Sequence, residues 1–288
     1  MIDMVKFGPS GNDELFYAQG FKHTTDAFAW VKQMGLDLYE YSFGRGILLK
    51  DETAQLYAEL AKQNDVQISV HAPYFINLAN QNEEAVNKSF GYIDKSLEKL
   101  VLMNGQKCVV HIGSCMDMNR AEAIERVTCN LQRFMDYFDE KYAGKDIFVC
   151  PEAMGKFKQI GTYQEIIDLC TMHKSLIPTL DFGHINCILQ GGLNNKDAYR
   201  RILDYLFEKL GDERARKLHV HFSKIEYSEK GEVKHLTLAD DKFGPPFEPL
   251  AELLVEYKMD ETTVICESKD IMAQDAKQLK TTYLSYCK

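Results

Sequence analysis

Short apolar segments alternate with longer segments of helical period along most of the chain. The short segments are rich in β-branched and aromatic residues, and some have apolar residues on both faces, such as the Cys-Val-Val run at 108–110. Strands covered by helices on both sides of a sheet have this composition. The pattern predicts eight strands, at residues 5–10, 36–43, 67–74, 107–114, 146–154, 177–184, 218–224 and 263–268.

Between these segments, apolar residues recur at steps of three and four, which is typical of one face of a helix. Such a pattern predicts helices at residues 83–103, 124–138 and 275–284. Strands that alternate with helices form right-handed βαβ units and a parallel sheet. Eight units predict an α/β protein with a closed (β/α)8 TIM barrel. Because no linker rich in Pro, Gly or Ser interrupts the pattern, we expect a single domain over residues 1–288.

Histidines and carboxylates recur where the predicted strands end. The carboxyl ends of all parallel strands in a barrel lie at one face, so these residues should converge. Clustered carboxylates repel unless a proton or a cation neutralises them, and imidazoles mixed with carboxylates suit Zn²⁺ or Mn²⁺. The residues that predict this metal cluster are His71, His111, Glu152, Asp181, His184, His219, His221, His235 and Glu267. His235 lies in residues 226–249, the longest stretch expected to be irregular, and such loops are usually functional.

The charge balance changes this picture only in part. The chain has 34 Lys+Arg against 43 Asp+Glu, a net charge of −9, which argues against binding nucleic acid through a generally basic surface. The start of the chain has no basic segment followed by an apolar run, and no stretch approaches the ~18 apolar residues needed to cross a bilayer. We therefore expect a cytoplasmic protein without a membrane partner.

Several motifs, in chain order, resemble the endonuclease IV family of metal-dependent apurinic/apyrimidinic endonucleases, within the xylose-isomerase-like barrel superfamily. The segment His71-Ala-Pro-Tyr-Phe-Ile-Asn-Leu is similar to the family's third-strand signature. His111-Ile-Gly-Ser resembles its His-Pro-Gly-Ser, with Ile112 where proline is usual. The other matching segments are Pro151-Glu152-Ala-Met-Gly, Leu180-Asp181-Phe-Gly-His184, His219-Val-His-Phe-Ser-Lys224 and Val-Ile-Cys-Glu267.

The resemblance implies two or three metal ions per chain, Zn²⁺ or alternatively Mn²⁺. His71 and His111 would hold the first ion, with Glu152 bridging to the second. The residues that complete the second site would be Asp181, His219 and Glu267.

A third ion would be held by His184 and His235, and here the chain departs from the family pattern. The family has Asp two residues before the loop histidine, where this chain has Val233. Glu232 is adjacent, but its side chain would point elsewhere unless the loop bends. We therefore expect the third site to be missing or built differently, with His221 as a further candidate ligand.

The activity implied by the resemblance is hydrolysis of DNA on the 5′ side of abasic sites, with damaged double-stranded DNA as the partner. Glu152, as the bridging carboxylate, would orient the attacking hydroxide. Tyr74 lies where the family has an aromatic residue near DNA, and Arg45 could contact a phosphate or fill a gap in the duplex. We expect the enzyme to be a monomer.

Two alternatives stay open. A sugar isomerase or epimerase of the same superfamily would need a single Mn²⁺ or Mg²⁺, with two carboxylates moving a proton next to a carbonyl. Its ligands would be Glu152, Asp181, His219 and Glu267. That class does not need His71 and His111, and it favours Arg where this chain has His221, although the acidic charge favours it. The second alternative is a barrel that binds a metal or ligand without turnover.

Overall fold

The computed structural model describes residues 4–44 and 46–287. Within these residues the strands are β1 (Lys6–Pro9), β2 (Leu38–Ser42), β3 (Gln67–His71), β4 (Lys107–Val110), β5 (Phe148–Pro151), β6 (Thr179–Asp181), β7 (His219–Phe222), β8 (Lys224–Ser228), β9 (Gly231–Leu236) and β10 (Thr263–Cys266). The α-helices are α1 (Glu14–Ala18), α2 (Ala27–Gln33), α3 (Asp51–Gln63), α4 (Glu83–Leu102), α5 (Arg120–Lys141), α6 (Tyr163–Cys170), α7 (Phe182–Ile188), α8 (Lys196–Ala215), α9 (Glu248–Glu256) and α10 (Met272–Tyr286).

In the described part of the chain, two four-stranded parallel sheets form the barrel, in the orders β2-β3-β4-β5 and β1-β10-β7-β6. At one seam the backbone N–H of Asp37 donates to the carbonyl of Phe7 at 2.9 Å, joining the ends of β1 and β2. At the other seam Glu152 and Thr179 form a parallel bridge between β5 and β6. The predicted TIM barrel is confirmed, and each of the eight predicted strand segments contains one barrel strand.

The helices form where the sequence combines a cap with an apolar stripe. Helix α4 begins after Asn82, whose side chain accepts from the N–H groups of Glu84 and Ala85. Its buried face includes four of the positions that gave the helical period, Val86, Ile93, Leu97 and Leu100. Of these side chains, Ile93, Leu97 and Leu100 join the core around the barrel. Among the described residues, no helix is both long and apolar enough to cross a membrane.

The sixth strand is shorter than the sequence pattern predicts. It ends at Asp181, whose Oδ1 accepts from the backbone N–H of His184 at 2.8 Å and so caps α7. A capping residue ends extended backbone and begins a helix. His184 therefore lies in the first turn of α7 and not in a strand, and its ring turns back toward the barrel mouth.

The stretch expected to be irregular, residues 226–249, contains most of an antiparallel hairpin formed by β8 and β9. The pairing register shifts between Glu226, which pairs with Lys234, and Tyr227, which pairs with Glu232. One residue of β9, Val233, is thus left over as a bulge. Polar and apolar residues alternate over only five positions in β8, and the bulge interrupts the alternation in β9, so the pattern is too short to predict the hairpin.

Candidate metal centre

The barrel mouth gathers imidazoles and carboxylates from six strands. His71 ends β3 and Asp181 ends β6, while His221 lies within β7. The residues that directly follow β4, β5 and β10 are His111, Glu152 and Glu267. Closure of the barrel brings them together because all these strands point the same way.

The first group consists of His71, His111 and Glu152, whose ligand atoms lie within 4.8 Å of one another. Glu152 Oε2 is 3.2 Å from His71 Nε2 and 2.9 Å from His111 Nε2. His71 Nδ1 lies 2.7 Å from the carbonyl oxygen of Ala72. Since a carbonyl only accepts, Nδ1 carries the proton, and a neutral His71 turns its Nε2 lone pair toward Glu152.

The second group consists of Glu152, Asp181, His221 and Glu267. His221 Nδ1 is 3.2 Å from Glu152 Oε1 and 3.5 Å from Glu267 Oε1. Asp181 Oδ2 is buried and has no hydrogen-bond partner in the described residues. Such an oxygen is costly to bury, and a divalent cation beside it would satisfy it. Two imidazole–carboxylate groups that share Glu152 therefore fit a pair of ions.

The third group consists of His184, Glu232 and His235. Glu232 Oε2 lies 3.6 Å from His184 Nε2, and its Oε1 lies 3.8 Å from His235 Nε2. The bulge in β9 supplies the bend that the sequence could not reveal, since it turns Glu232 inward and leaves Val233 53% exposed. Of the two expected alternatives, the arrangement agrees with a third site that is built differently, with the carboxylate of Glu232 near both histidines and Val233 outside.

One predicted ligand, His219, lies elsewhere than the resemblance implies. Residues two apart on a strand share a face, so His219 and His221 both point into the barrel, but the register pairs Asp181 with His221. His219 lies deeper, where its Nδ1 is 2.6 Å from Thr263 Oγ1 and its Nε2 is 3.0 Å from Glu40 Oε2. Both ring nitrogens of His219 thus have partners below the mouth. His221 lies in the position that was predicted for His219, beside Glu152, Asp181 and Glu267.

Glu40 is the residue that sequence reasoning missed. It is wholly buried on β2 and lies within ligand distance of His219 and His221. The signal was a carboxylate in the middle of the segment Leu-Tyr-Glu-Tyr-Ser, but only barrel closure shows that it faces inward.

Mutual proximity shifts the pKa values of these groups in opposite directions. Burial favours the neutral form of Glu267, yet the neighbouring His221 outweighs it and lowers the pKa of Glu267 to about 2. Burial likewise opposes charge on His184, but Asp181 and other carboxylates raise its pKa to about 9. For Asp181 burial prevails, and its pKa is raised. The centre is a set of strongly interacting charges, as in sites that bind metals or transfer protons.

One of the two residues predicted to contact DNA, Tyr74, lies at the edge of this centre. Tyr74 is half exposed, its hydroxyl is 3.0 Å from Ser42 Oγ, and its ring centroid is 4.8 Å from that of His71. Arg45 lies outside the described residues. Tyr74 therefore lies beside the first group with about half of its surface open to solvent.

Comparison with known proteins agrees with this architecture. A family model described as "Xylose isomerase-like TIM barrel" matches residues 28–282. The chain belongs to this family. The predicted resemblance to endonuclease IV is confirmed within it: the chain is 26% identical over 232 residues to a probable endonuclease 4 of Enterococcus faecalis, covering 78% of this chain and 74% of that protein.

Two further relatives differ in how much of their own length the chain covers. An uncharacterized protein of Methanocaldococcus jannaschii, MJ0133, is 30% identical over 88% of this chain and 89% of its own length. A probable endonuclease 4 of Malacoplasma penetrans is 27% identical, and the chain spans about half of its length (50%).

Two solved structures share the fold at low sequence identity. A D-tagatose 3-epimerase-like protein superposes with a TM-score of 0.74 at 22% identity, covering 98% of this chain and 97% of that chain. Endonuclease IV from Thermus thermophilus superposes with a TM-score of 0.69 at 19% identity, covering 93% of this chain and 95% of that chain. At such identities both show the fold alone.

Proposed function

We propose that this protein is a metal-dependent phosphodiesterase that cleaves DNA on the 5′ side of abasic sites. The observation that carries the proposal is that further ligand groups adjoin the second group at two of its members. His71 and His111 contact Glu152. His184 Nδ1 lies 3.2 Å from Asp181 Oδ2 and belongs with Glu232 to the third group. A single-ion sugar enzyme has no need of either further group. Three adjoining groups instead suit a substrate whose charge is spread over several phosphate oxygens.

Glu152 is the proposed catalytic residue because it belongs to two of the groups. Its Oε2 faces His71 and His111, and its Oε1 lies 3.2 Å from His221 Nδ1. When bound, divalent ions at these groups would supply an activated water and charge stabilisation for the phosphodiester. Glu152 would contribute one carboxylate oxygen to each of the two groups and orient the attacking oxygen. Tyr74 would lie beside the substrate.

The net charge of −9 does not oppose this proposal as strongly as it first suggests. Glu152, Asp181 and Glu267 belong to the ligand groups, so part of the negative charge would be neutralised on metal binding. Two or three divalent ions would shift the net charge to about −5 or −3 and concentrate positive charge at the mouth.

The decisive experiment measures metal content and nicking on the same sample. Purified protein loaded with Zn²⁺ or Mn²⁺ is analysed by mass spectrometry and incubated with a duplex that contains one abasic analogue, and an undamaged duplex serves as control. We expect two or more ions per chain and 5′ nicking of the abasic duplex only. One ion per chain without nicking would refute the proposal.

Glu152→Gln tests the catalytic assignment. It keeps the shape of the side chain but removes its charge, so turnover should fall by at least about a hundredfold while circular dichroism shows a folded protein. His23→Gln is the matched control because His23 is exposed and its side chain caps nothing. Unaltered nicking by the Glu152 variant would exclude the bridging role.

A divalent-metal sugar isomerase or epimerase is the second candidate, and the second group by itself favours it. Glu152 and Glu267 lie on either side of His221 Nδ1, as two carboxylates that exchange a proton next to a carbonyl would. Incubation with ketoses in D2O distinguishes the candidates. Deuterium incorporation that survives His111→Asn would favour the sugar enzyme, since only the first group contains His111.

A further inference from the structure

Glu40 lies beneath the proposed metal centre and belongs to neither of the groups that share Glu152. Its carboxylate is wholly buried, so each oxygen needs a partner. Oε2 has two: the Ser69 hydroxyl donates to it at 2.8 Å, and His219 Nε2 lies 3.0 Å away. Oε1 has no hydrogen-bond partner in residues 4–44 and 46–287.

The group that faces Oε1 is His221. Its Nε2 is 3.0 Å from Glu40 Oε1, out of line for a hydrogen bond, and it too has no hydrogen-bond partner among the described residues. The other ring nitrogen, Nδ1, faces Glu152 and Glu267 in the second metal group. The ring of His221 therefore separates a carboxylate below from the ligand group above, and a small rotation would align the lower contact.

A chain of hydrogen bonds that begins at Lys107 determines which carboxylate oxygen of Glu40 remains available to His221. Lys107 Nζ donates to Thr263 Oγ1 at 2.7 Å, and the same oxygen is 2.6 Å from His219 Nδ1. An ammonium only donates, so it occupies a lone pair of the hydroxyl, and His219 is the remaining acceptor for the hydroxyl proton in the described residues. His219 then carries its own proton on Nε2 and donates it to Glu40 Oε2.

We propose that Glu40 is the positioning residue that makes His221 a metal ligand through Nδ1. With Oε2 occupied by Ser69 and His219, Glu40 uses Oε1 to accept the Nε2 proton of His221. This leaves the Nδ1 lone pair directed at the second group. A carboxylate behind a ligating histidine fixes its tautomer and raises its basicity. The inference rests on the metal assignment in the proposed function, but not on DNA as the substrate.

A rival interpretation is that Glu40, His219 and His221 themselves hold an ion, since their ligand atoms lie within 4.8 Å of one another. One observation opposes it. The Lys107 ammonium donates to Thr263 Oγ1, which in turn contacts His219 Nδ1, so a cation already lies at this end of the hydrogen-bond chain. The rival predicts metal on Nε2 of His221, whereas our proposal predicts a proton there.

The first experiment reads this proton directly in the wild-type chain. Protein labelled with ¹⁵N-histidine and loaded with Zn²⁺ is examined by long-range ¹H–¹⁵N NMR, and the His221 signals are assigned by their loss in His221→Asn. We expect a proton on Nε2 and none on Nδ1. A proton on Nδ1, or no proton on either nitrogen, would overturn the inference. Loss of nicking with this tautomer intact would refute only the proposed function.

The second experiment compares Glu40→Gln with Ser69→Ala by chelator competition, which measures the dissociation constant of each bound ion. Glu40→Gln removes the charge behind His221 and should weaken one ion by about 10–100-fold, leaving the others unchanged. Ser69→Ala removes a contact to Oε2 alone and should leave all constants close to the wild-type values. If Glu40→Gln lowers thermal stability while every metal affinity stays the same, Glu40 is a structural residue and the inference is wrong. The NMR experiment decides if the Glu40 variant does not fold.

Discussion

His219 and His221 differ by one step along the inward face of β7, and that step separates a structural residue from a candidate ligand. His221 pairs in register with Asp181, whereas His219 pairs with Thr179 and hydrogen-bonds to Thr263. The resemblance to endonuclease IV favours His219 because this histidine begins the matching segment His219-Val-His-Phe-Ser-Lys224. The motif cannot say how deep either ring lies, since depth depends on the stagger between β6, β7 and β10.

The two histidines should therefore respond differently to the same substitution. We expect His221→Asn to lose about one ion per chain, because it removes a ligand of the second group. His219→Asn should bind the full number of ions but unfold more easily, because it breaks a buried hydrogen-bond chain. Metal analysis by mass spectrometry and thermal unfolding measure the two effects. Loss of an ion from His219→Asn would restore the sequence-based assignment.

Lys107, the first residue of β4, should make the free energy of unfolding depend on pH. Burial lowers the pKa of its ammonium from 10.5 to about 8. Between these values the unfolded chain binds more protons than the folded chain, so the free energy of unfolding should rise as pH rises. Compared with Lys107→Met, the wild type should gain up to about 3 kcal/mol across this window. Urea unfolding of both proteins from pH 8 to 10.5 measures the difference, and parallel curves would contradict it.

At the scale of elements, the sequence predicts the helices and strands that periodicity marks and misses those that depend on packing. Apolar steps of three and four predict α4 within a residue at each end, and the buried strands are found because their apolar runs are continuous. The β8–β9 hairpin has no continuous apolar run, and its alternation is short and is interrupted by the bulge. His184 belongs to a helix because Asp181 is an N-cap, a role that the extended pattern around it conceals. Most predicted ligands are nevertheless correctly placed at the mouth, because strand ends locate them.

The β8–β9 hairpin leads to a separate prediction, since it carries Glu232 and His235, two of the three residues in the third group. Glu232→Gln should weaken one ion selectively, by roughly 10–100-fold, and leave the two groups that share Glu152 intact. Glu229→Gln is the matched control because Glu229 is exposed in the turn of the same hairpin. Titration with Co²⁺ followed by its visible absorption would count the sites. Three equivalent sites in the Glu232 variant would show that the hairpin holds no ion.

At the scale of the whole molecule, metal removal should destabilise the fold. Without ions, the buried carboxylates of the centre lack the cations that the ligand groups suit. An ion present at a hundred times its dissociation constant contributes about 2.7 kcal/mol of stability, and 1 kcal/mol shifts Tm by roughly 2–4 °C in a chain of this size. Treatment with EDTA should therefore lower Tm by about 5–10 °C per ion, and re-addition of Zn²⁺ should restore it. Identical melting curves before and after chelation would exclude a structural contribution from metal.

The seam between β5 and β6 connects metal binding with closure of the barrel. The two four-stranded sheets meet there through isolated bridges, at Val149–Leu176 and at Glu152–Thr179, and not through a continuous ladder. Glu152 and Asp181 lie on opposite sides of that joint and belong to the same ligand group. An ion bound by both Glu152 and Asp181 would link the two sheets across this joint. Binding of metal and closure of the barrel would then be coupled at one of the two joints where the wall lacks a continuous ladder.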